Sequence, residues 1–338
     1  MWIKGEYYDA LDTVETVSRG ALSRAGQPCP FHRLDWLRLV AEHREPGSRP
    51  LIVRARSEGT DAWLFLLQQP GGRLTALANQ HSLRVAPIFS GPAEPLQRRR
   101  LIRAMAGRLR RPGLGVVRIA LPAVATPDAE LIGRAFGRAG WLVARRAAPP
   151  LWRTDTQGLS FDDYWETRPA ALRDRIERAA RAAPLDLEVA DRFAAAMWAE
   201  FAALDEGADA FLRAFAEQES AAGSLRLAVA RLGGEPVAAQ LWTVDRGVAT
   251  AHRLAQAPGR RSLSPGAQLS ATMFRYLLNV DHVDQIDYGA GGDRWKADWA
   301  EERLPRQRLD LFNPRRIRAW GPALAAAASG LVRRGPLH

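Results

Sequence analysis

The stretch Ile286-Asp287-Tyr288-Gly289-Ala290-Gly291-Gly292-Asp293-Arg294-Trp295-Lys296-Ala297-Asp298-Trp299 combines the end of a buried strand, a glycine loop and a single lysine. Among the 48 basic side chains of the chain, the lysines are Lys4 and Lys296, and the others are arginines. A compact ammonium on a flexible stem follows a developing negative charge, or loses its proton when desolvated, better than a planar guanidinium does. The sequence therefore indicates that Lys296 is needed as a lysine, although Lys4 shows that lysines also occur by chance.

Length and composition favour a globular protein of two domains. The 338 residues correspond to two domains at about 150 residues each, and the 47% hydrophobic content is ample for two cores. Cys29 is the single cysteine, which excludes an internal disulfide and fits a reducing compartment. Residues 1–6 carry no secretion signal, so we expect a cytoplasmic protein.

No part of the sequence reaches the roughly 18 uninterrupted apolar residues of a transmembrane helix. The nearest candidate, residues 319–332, is short, rich in alanine and bounded by arginines. We predict that it is a packed terminal helix rather than a membrane anchor.

The net charge of +11 arises entirely in the first half of the chain. Residues 1–150 hold 23 basic and 12 acidic side chains, whereas residues 151–338 hold 25 of each. Such a basic face could meet a nucleic acid, an anionic lipid surface or a phosphorylated substrate. The arginine clusters at 98–100 and 108–111 lack the interleaved aromatic residues of single-strand binders, so a nucleic acid is disfavoured and a solvated face is the simpler interpretation.

Local patterns in the first half predict a mixed α/β domain. The predicted helices are 30–37, 96–110 and 129–139, and the predicted strands are 51–56, 62–69, 73–78, 116–121 and 141–145. Residues 147–160 are polar and turn-prone, which predicts a boundary between a domain 1–150 and a domain 151–338.

The second half has a more regular pattern. Ser160 is predicted to cap a helix with Asp162 and Asp163 in its first turn, and Pro169 to start a second helix. There follow a predicted strand 185–190, helices 192–204 and 208–221, strands 225–232, 237–244 and 248–254, helix 266–279, strand 285–288, helix 294–300, strand 307–312 and a last helix after Pro314.

This order of elements resembles a GNAT acyltransferase domain. GNAT proteins carry a pyrophosphate loop, Arg/Gln-x-x-Gly-x-Gly/Ala, between the third hairpin strand and its helix, where this chain has Arg261-Ser262-Leu263-Ser264-Pro265-Gly266. Backbone N–H groups at a helix N-terminus suit the phosphates of coenzyme A. The resemblance implies that Arg261, Ser264, Gly266 and Ala267 bind it. Ser264 replaces the first glycine and Pro265 removes one donor, so an ordinary proline-capped helix start is the alternative.

A wider set of motifs resembles the FemAB-like branch of GNAT proteins, the group related to CelD and BcsL. The motifs are Pro30-Phe31 to Trp36-Leu37, Phe161-x-x-Tyr164-Trp165-Glu166 with Arg168, Gly234 to Gln240, Leu263 to Gly266, Asp287-x-Gly289 and Trp295-Lys296. The resemblance covers most of the chain. It implies tandem GNAT-like domains, each with a central mixed, mostly antiparallel sheet flanked by helices, and the basic first half is interpreted as a degenerate copy.

The resemblance also suggests roles for individual side chains. Trp295-Lys296-x-x-Trp299 is similar to the aromatic-Lys-x-x-Phe segment of the Fem peptidyltransferases, in which the lysine lies at the acyl-transfer centre. Lys296 would stabilise the developing oxyanion or an acceptor phosphate. Asp287 is the candidate base, with a structural pairing to Lys296 or a cap of the following loop as the alternative.

Four further side chains are weaker candidates. His252 is an alternative base or a packed histidine, and Gln240 lines an acyl tunnel or bonds a neighbouring strand. Tyr164 and Arg168 contact the acceptor, or act as a hydrophobic staple and a solvated arginine. Trp295 is expected to bind substrate beside Lys296.

Other chemistries lack their motifs. The sequence has no metal-spaced Cys/His/Asp cluster, no Gly-x-Ser-x-Gly elbow and no Gly-x-x-x-x-Gly-Lys-Ser/Thr loop, and residues 289–292 are too short for a dinucleotide fingerprint. The resemblance to GNAT proteins implies an N-acyltransferase that moves an acyl group directly from an acyl-CoA, with acetyl-CoA as the first candidate, to a small-molecule or aminosugar amine, in envelope or polysaccharide metabolism. The strands near 244–254 and 285–288 should part to admit the pantetheine arm.

Two rival functions stay open. One is an aminoacyl-tRNA-dependent Fem-type transferase, which the basic first half would suit although no long heptad-patterned helical arm is present. The other is a non-catalytic scaffold with the GNAT fold in polysaccharide assembly.

Overall fold

The computed structural model describes residues 3–44, 46–57, 59–260, 263–292 and 294–332. The strands are β1 (Lys4–Tyr8), β2 (Arg49–Ser57), β3 (Thr60–Gln69), β4 (Arg73–Ala76), β5 (Ile88–Ser90), β6 (Arg118–Ala125), β7 (Leu142–Asp155), β8 (Asp186–Ala190), β9 (Leu225–Leu232), β10 (Glu235–Asp245), β11 (Val248–Gln256), β12 (Gln285–Ala290) and β13 (Glu302–Phe312). The helices are α1 (Leu11–Ser18), α2 (Leu34–Glu42), α3 (Pro95–Leu109), α4 (Thr126–Arg138), α5 (Phe161–Glu166), α6 (Ala170–Ala182), α7 (Ala195–Leu204), α8 (Ala210–Ala221), α9 (Pro265–Asn279) and α10 (Trp320–Val332).

The chain divides into two compact units. Unit 1 comprises Met1–Pro149 and Pro305–His338, and unit 2 comprises Pro150–Leu304. The segment from Pro305 belongs to unit 1 because β13 pairs antiparallel with β6. The predicted carboxy-terminal domain, 151–338, is therefore longer than the compact unit, and the domain assignment itself stays a prediction.

Unit 1 packs helices on a mostly antiparallel sheet. The strand order is β1-β2-β3-β4-β6-β13, with β5 on β3, and the β4–β6 pair is parallel. The apolar faces of α3 and α4 cover this sheet and bury Leu101, Met105, Ile132 and Phe136 in one core. β1 and α1 were not predicted from the sequence.

Unit 2 has a sheet with helices on both faces. The order is β7-β12-β11-β10-β9-β8, in which only the β11–β12 pair is parallel among the described residues. One face carries an aromatic core in which Trp242, Phe274, Tyr288 and Trp299 pack together. A mixed, mostly antiparallel sheet flanked by helices, as predicted from the sequence, is thus confirmed.

Two helices of unit 2 begin directly after the residues that the sequence predicted to start them. Ser160 and Asp163 form a reciprocal capping box at the start of α5, as their spacing predicted. Pro169 is the N-cap of α6. The predicted helix 294–300 is instead a 3-10 turn, Arg294–Asp298.

The loop conformation predicted for residues 147–160 is wrong for its first part, because β7 runs on to Asp155, whereas the predicted position of the domain boundary stays a prediction. Residues 147–150 contain two adjacent prolines and look like a chain break. The strand continues because Leu151, Arg153 and Thr154, which follow the prolines, pair with β12 and so satisfy their own backbone groups. No helix in the described residues is long and apolar enough to cross a membrane.

Candidate active site

The two parallel strands of unit 2 part after a short ladder. β11 and β12 pair at Val248–Gln285, Ala249–Ile286 and Thr250–Asp287. Beyond that point β11 continues to Gln256 along β10, and β12 turns towards β7 at Ala290, with no further ladder between them in the described residues. The predicted parting of these strands is confirmed, and it exposes a backbone edge of β11.

A cavity of about 500 Å³ lies beside that edge. Its walls come from the end of β11, the first turns of α9 and the aromatic turn after β12. The lining residues are Arg175, Gln240, Leu254, Ala255, Gln256, Ser264, Gly266, Ala267, Ser270, Trp295 and Trp299. The predicted residues Ser264, Gly266, Ala267, Gln240 and Trp295 therefore meet at one cavity.

The start of α9 forms one end of this cavity. Ser264 is the N-cap in the left-handed region, with φ of +46°, a conformation that glycine adopts more easily. Its carbonyl accepts hydrogen bonds from the N–H groups of Ala267 and Gln268, both at 3.0 Å. The Gly266 amide follows Pro265 in the first turn, where N–H groups lack intrahelical partners. Arg261 and Ser262, the other predicted members of this loop, lie outside the described residues.

A buried chain of hydrogen bonds supports the cavity wall. Gln240 Nε2 donates to Ser270 Oγ at 2.8 Å and to the Gly266 carbonyl at 3.2 Å, while Trp242 Nε1 donates to Gln240 Oε1 at 2.9 Å. Ser270 Oγ and the Tyr288 hydroxyl share a further bond of 2.7 Å. Burial raises the pKa of Tyr288 well above its usual value, against the opposing effect of Ser270, so the hydroxyl stays protonated. This chain connects α9 to β10 and β12.

Lys296 is buried, with 6% of its surface exposed, beside the kink at the end of β12. Its Nζ donates to the carbonyls of Tyr288 at 3.0 Å and Ala290 at 2.8 Å. Between them, Gly289 has φ of +76°, and a Cβ there would meet the Ala251 carbonyl at 2.9 Å. The ammonium therefore stabilises a bend that only glycine fits well, next to the point where the strands part.

The two candidate bases lie on the sheet face opposite the aromatic core. Asp287 pairs with Thr250, and Thr250 pairs with Thr243, so these three alternate with the core-facing residues in one row across the sheet. Thr243 Oγ1 is 2.9 Å from His252 Nε2, and the His252 ring packs edge-on against Phe215 of α8. Asp287 Oδ1 accepts a hydrogen bond from Gly289 N–H at 3.2 Å, which caps the loop as one interpretation predicted.

Tyr164 and Arg168 are built into the core of unit 2. The buried Tyr164 hydroxyl donates to the Trp299 carbonyl at 2.6 Å, and burial raises its pKa despite the nearby Arg168. Arg168 lies over the Tyr164 ring and pairs with Glu301, which also accepts from Thr154. These contacts position the cavity's aromatic wall, and direct contact with an acceptor stays a prediction.

Several residues of the site were not predicted from the sequence: Arg175, Trp242, Thr243, Gln256, Ser270, Tyr288 and Trp299. Ser270 could have been found, because it lies four residues after Gly266 and so shares a helix face with it. No group of three or more metal-ligating side chains occurs in the part of the chain that the structure describes.

Comparisons with known proteins agree with this geometry. Residues 166–297 match the family model of the acetyltransferase (GNAT) domain. No curated protein matches the chain. A tandem GNAT protein from the clavulanic acid biosynthesis pathway has a TM-score of 0.57 at 14% identity, with 92% of this chain and 98% of that chain covered.

Two further solved structures share the fold. FemX has a TM-score of 0.55 at 10% identity, with 83% of this chain and 92% of that chain covered. The C-terminal domain of a protein described as a lysylphosphatidylglycerol synthetase from Agrobacterium fabrum has a TM-score of 0.52 at 16% identity, covering 79% and 85%. Residues 166–297 are therefore similar to a GNAT acetyltransferase domain, and the chain has a fold that a tandem GNAT protein shares.

Proposed function

We propose that unit 2 is an N-acyltransferase that takes an acyl group from an acyl-CoA and passes it to an amine, with acetyl-CoA as the first candidate donor. The parting of β11 and β12 beside the cavity carries this proposal, because it leaves an unpaired strand edge next to a helix N-terminus. The backbone N–H and C=O groups of such an edge can form hydrogen bonds with the amides of a pantetheine arm, which would then lie along the edge as an added strand does.

The residues at the cavity suit the other parts of coenzyme A. The amide of Gly266 at the start of α9 favours the pyrophosphate, because helix N-termini attract anions. Arg175 adds a positive charge at the cavity wall. Trp295 and Trp299 offer aromatic surface. Ser264 already adopts the left-handed conformation, so a serine in place of the first glycine of the motif does not prevent this loop geometry.

Direct transfer needs no enzyme-bound intermediate. The nitrogen of a neutral amine attacks the thioester carbonyl, the C–N bond forms and the C–S bond breaks. The nitrogen loses one proton and the departing thiolate gains one from solvent or a nearby group, so the products are an amide and the free thiol of coenzyme A. The acceptor ammonium must first lose a proton, and Asp287 or His252, on the sheet face opposite the aromatic core, is the candidate base. Lys296 contributes positive charge where the carbonyl oxygen becomes negative.

Titration calorimetry with acetyl-CoA and with coenzyme A tests the donor. We expect one binding site for acetyl-CoA in the whole chain. We expect Gly266→Val to weaken this binding at least about tenfold, because the valine side chain would enter the cavity beside Gln256. Gly107→Val is the matched control, since Gly107 is an exposed helical glycine with open space around it. Failure of the wild-type protein to bind either compound would refute the donor assignment.

The acceptor and the rival functions need separate measurements. A mass-spectrometric screen of small amines, amino acids and aminosugars with several acyl-CoAs would identify the acceptor. Steeply salt-dependent binding of charged tRNA without binding of coenzyme A would favour a Fem-type donor. Lys296→Ala and Asp287→Ala variants that fold and keep full cellular function would favour a scaffold.

A further inference from the structure

The last helix of unit 1 has an apolar sequence, but its side chains between Trp320 and Ala328 are covered on one side only. From Trp320 to Val332 the sequence contains no charged residue. Ala326 of this helix, and Ala319 in the turn just before it, pack against Phe312. A helix that is apolar all round is normally covered all round.

The uncovered side carries large apolar groups in a row. Ile317, Trp320 and Leu324 are 87%, 46% and 64% exposed, and their spacing of three and four residues aligns them along one side. Contiguous exposed apolar surface of this kind marks an interaction site in a folded protein.

The sequence around this apolar row is rich in arginine. From residue 311 to the end, the sequence has no acidic residue, and its basic residues are Arg315, Arg316, Arg318, Arg333 and Arg334. The nearby ion pairs join Arg118 and Arg308 to Asp310. In the described part of the chain, no ion pair involves Arg315, Arg316 or Arg318.

Three of these arginines line a cavity of about 590 Å³. Its other walls are Gly71, Gly72, Gly115, Val117 and Ile317, so glycine backbone forms part of the lining. A Cβ on Gly72 would collide with the Gly115 carbonyl at 2.2 Å, so this part of the wall requires glycine. An arginine-lined cavity with polar backbone suits a phosphate group.

We propose that this surface, formed by Ile317, Trp320 and Leu324 with the arginines 315, 316 and 318, docks unit 1 onto a bilayer of anionic phospholipid. The apolar row enters the interfacial region, and the arginines contact lipid phosphates beside it. Trp is suited to this depth because its ring is amphipathic. The helix lies on the membrane rather than across it, since its 13 residues fall short of the about 20 that a span requires.

A second copy of the chain is a poorer occupant of this surface. A twofold contact would set each patch against itself and bring the same arginines together without any acidic partner. Anionic lipid supplies the opposite charge together with an apolar layer. The proposal is independent of the acyl-transfer function proposed for unit 2.

Vesicle flotation with the full chain tests the proposal. We expect binding to vesicles of phosphatidylcholine with 30 mol% phosphatidylglycerol, and far weaker binding to pure phosphatidylcholine. Arg315→Gln with Arg318→Gln should lower the partition coefficient about 25-fold, from roughly fivefold for each charge near the surface. Trp320→Ser with Leu324→Ser should lower it at least about tenfold.

Matched controls alter equally exposed residues elsewhere. Val280→Ser and Arg181→Gln remove an exposed apolar group and an exposed charge in unit 2, and both should bind as the wild type does. Circular dichroism and melting curves establish that each variant folds, as expected for exposed positions.

Three results would overturn the proposal. The wild type could fail to float with the anionic vesicles, or it could bind them equally well after the Trp320 and Leu324 changes, which would indicate nonspecific attraction of a basic protein. Analytical ultracentrifugation could instead show a dimer that the same two changes dissociate, in protein that does not bind vesicles. In that case the occupant is a second copy.

Discussion

Replacing Lys296 by methionine tests the part of the site where a single side chain holds the strand geometry. Methionine retains most of the apolar stem but removes the donors to the carbonyls of Tyr288 and Ala290. The bend at Gly289 would then lose its stabilising charge. We therefore expect β12 to open more readily than in the wild type.

The size of the effect follows from the two hydrogen bonds. A hydrogen bond to a charged group contributes about 1.5–3 kcal/mol, so two contribute about 3–6 kcal/mol. Removing a buried ammonium also recovers part of its desolvation cost. A net loss of about 2–4 kcal/mol in the local free energy of opening is expected, which corresponds to about 30-fold faster amide exchange or more.

Hydrogen exchange measured by mass spectrometry on peptides that cover Gln285–Ala290 is the assay, because two compact units need not unfold together. Lys4→Met is the matched control. Lys4 is 60% exposed and pairs with Glu6 at 2.6 Å, and such surface pairs contribute at most about 1 kcal/mol. If Lys296→Met changes exchange in β12 no more than Lys4→Met does, the reasoning is refuted.

The same variant separates structure from chemistry once an acceptor is known. Loss of a group that stabilises an oxyanion lowers kcat about 10²- to 10³-fold. A Lys296→Met enzyme that exchanges faster in β12 but keeps the wild-type kcat would assign Lys296 a structural role alone.

Three further predictions concern the site and the pH response. Gln240→Leu should destabilise unit 2 by about 2–4 kcal/mol in urea titrations, because it leaves buried polar partners unpaired. Gly289→Ala should lower the stability of unit 2 by about 1–3 kcal/mol through its positive φ, and an unchanged denaturation midpoint would contradict this. Burial, with a smaller contribution from Arg84, lowers the pKa of His32 from 6.5 to about 4. Between these two pH values the unfolded chain binds a proton at His32 that folded unit 1 does not. The free energy of unfolding of unit 1 should therefore fall by up to about 3 kcal/mol as the pH drops from 6.5 to about 4. His32→Leu should abolish this slope and His43→Gln should retain it.

The sequence alone determined most of the secondary structure of unit 2 and the class of its fold. Capping at Ser160 and the apolar runs of β9 and β10 are local signals, since they depend on neighbours in the chain. The resemblance to GNAT proteins rested on the order of these elements. The start of α9 was likewise predictable, because proline favours the first helical position.

Only the tertiary structure decided what surrounds each candidate side chain. The continuation of β7 through Pro149 and Pro150 depends on pairing with β12, a partner more than a hundred residues away. The burial of Tyr164 and Arg168, and the position of Asp287 on the face opposite Gln240, depend on how strands align. Sequence patterns report the local conformation, whereas the contacts of a side chain are set by residues that are distant in the chain and close in space.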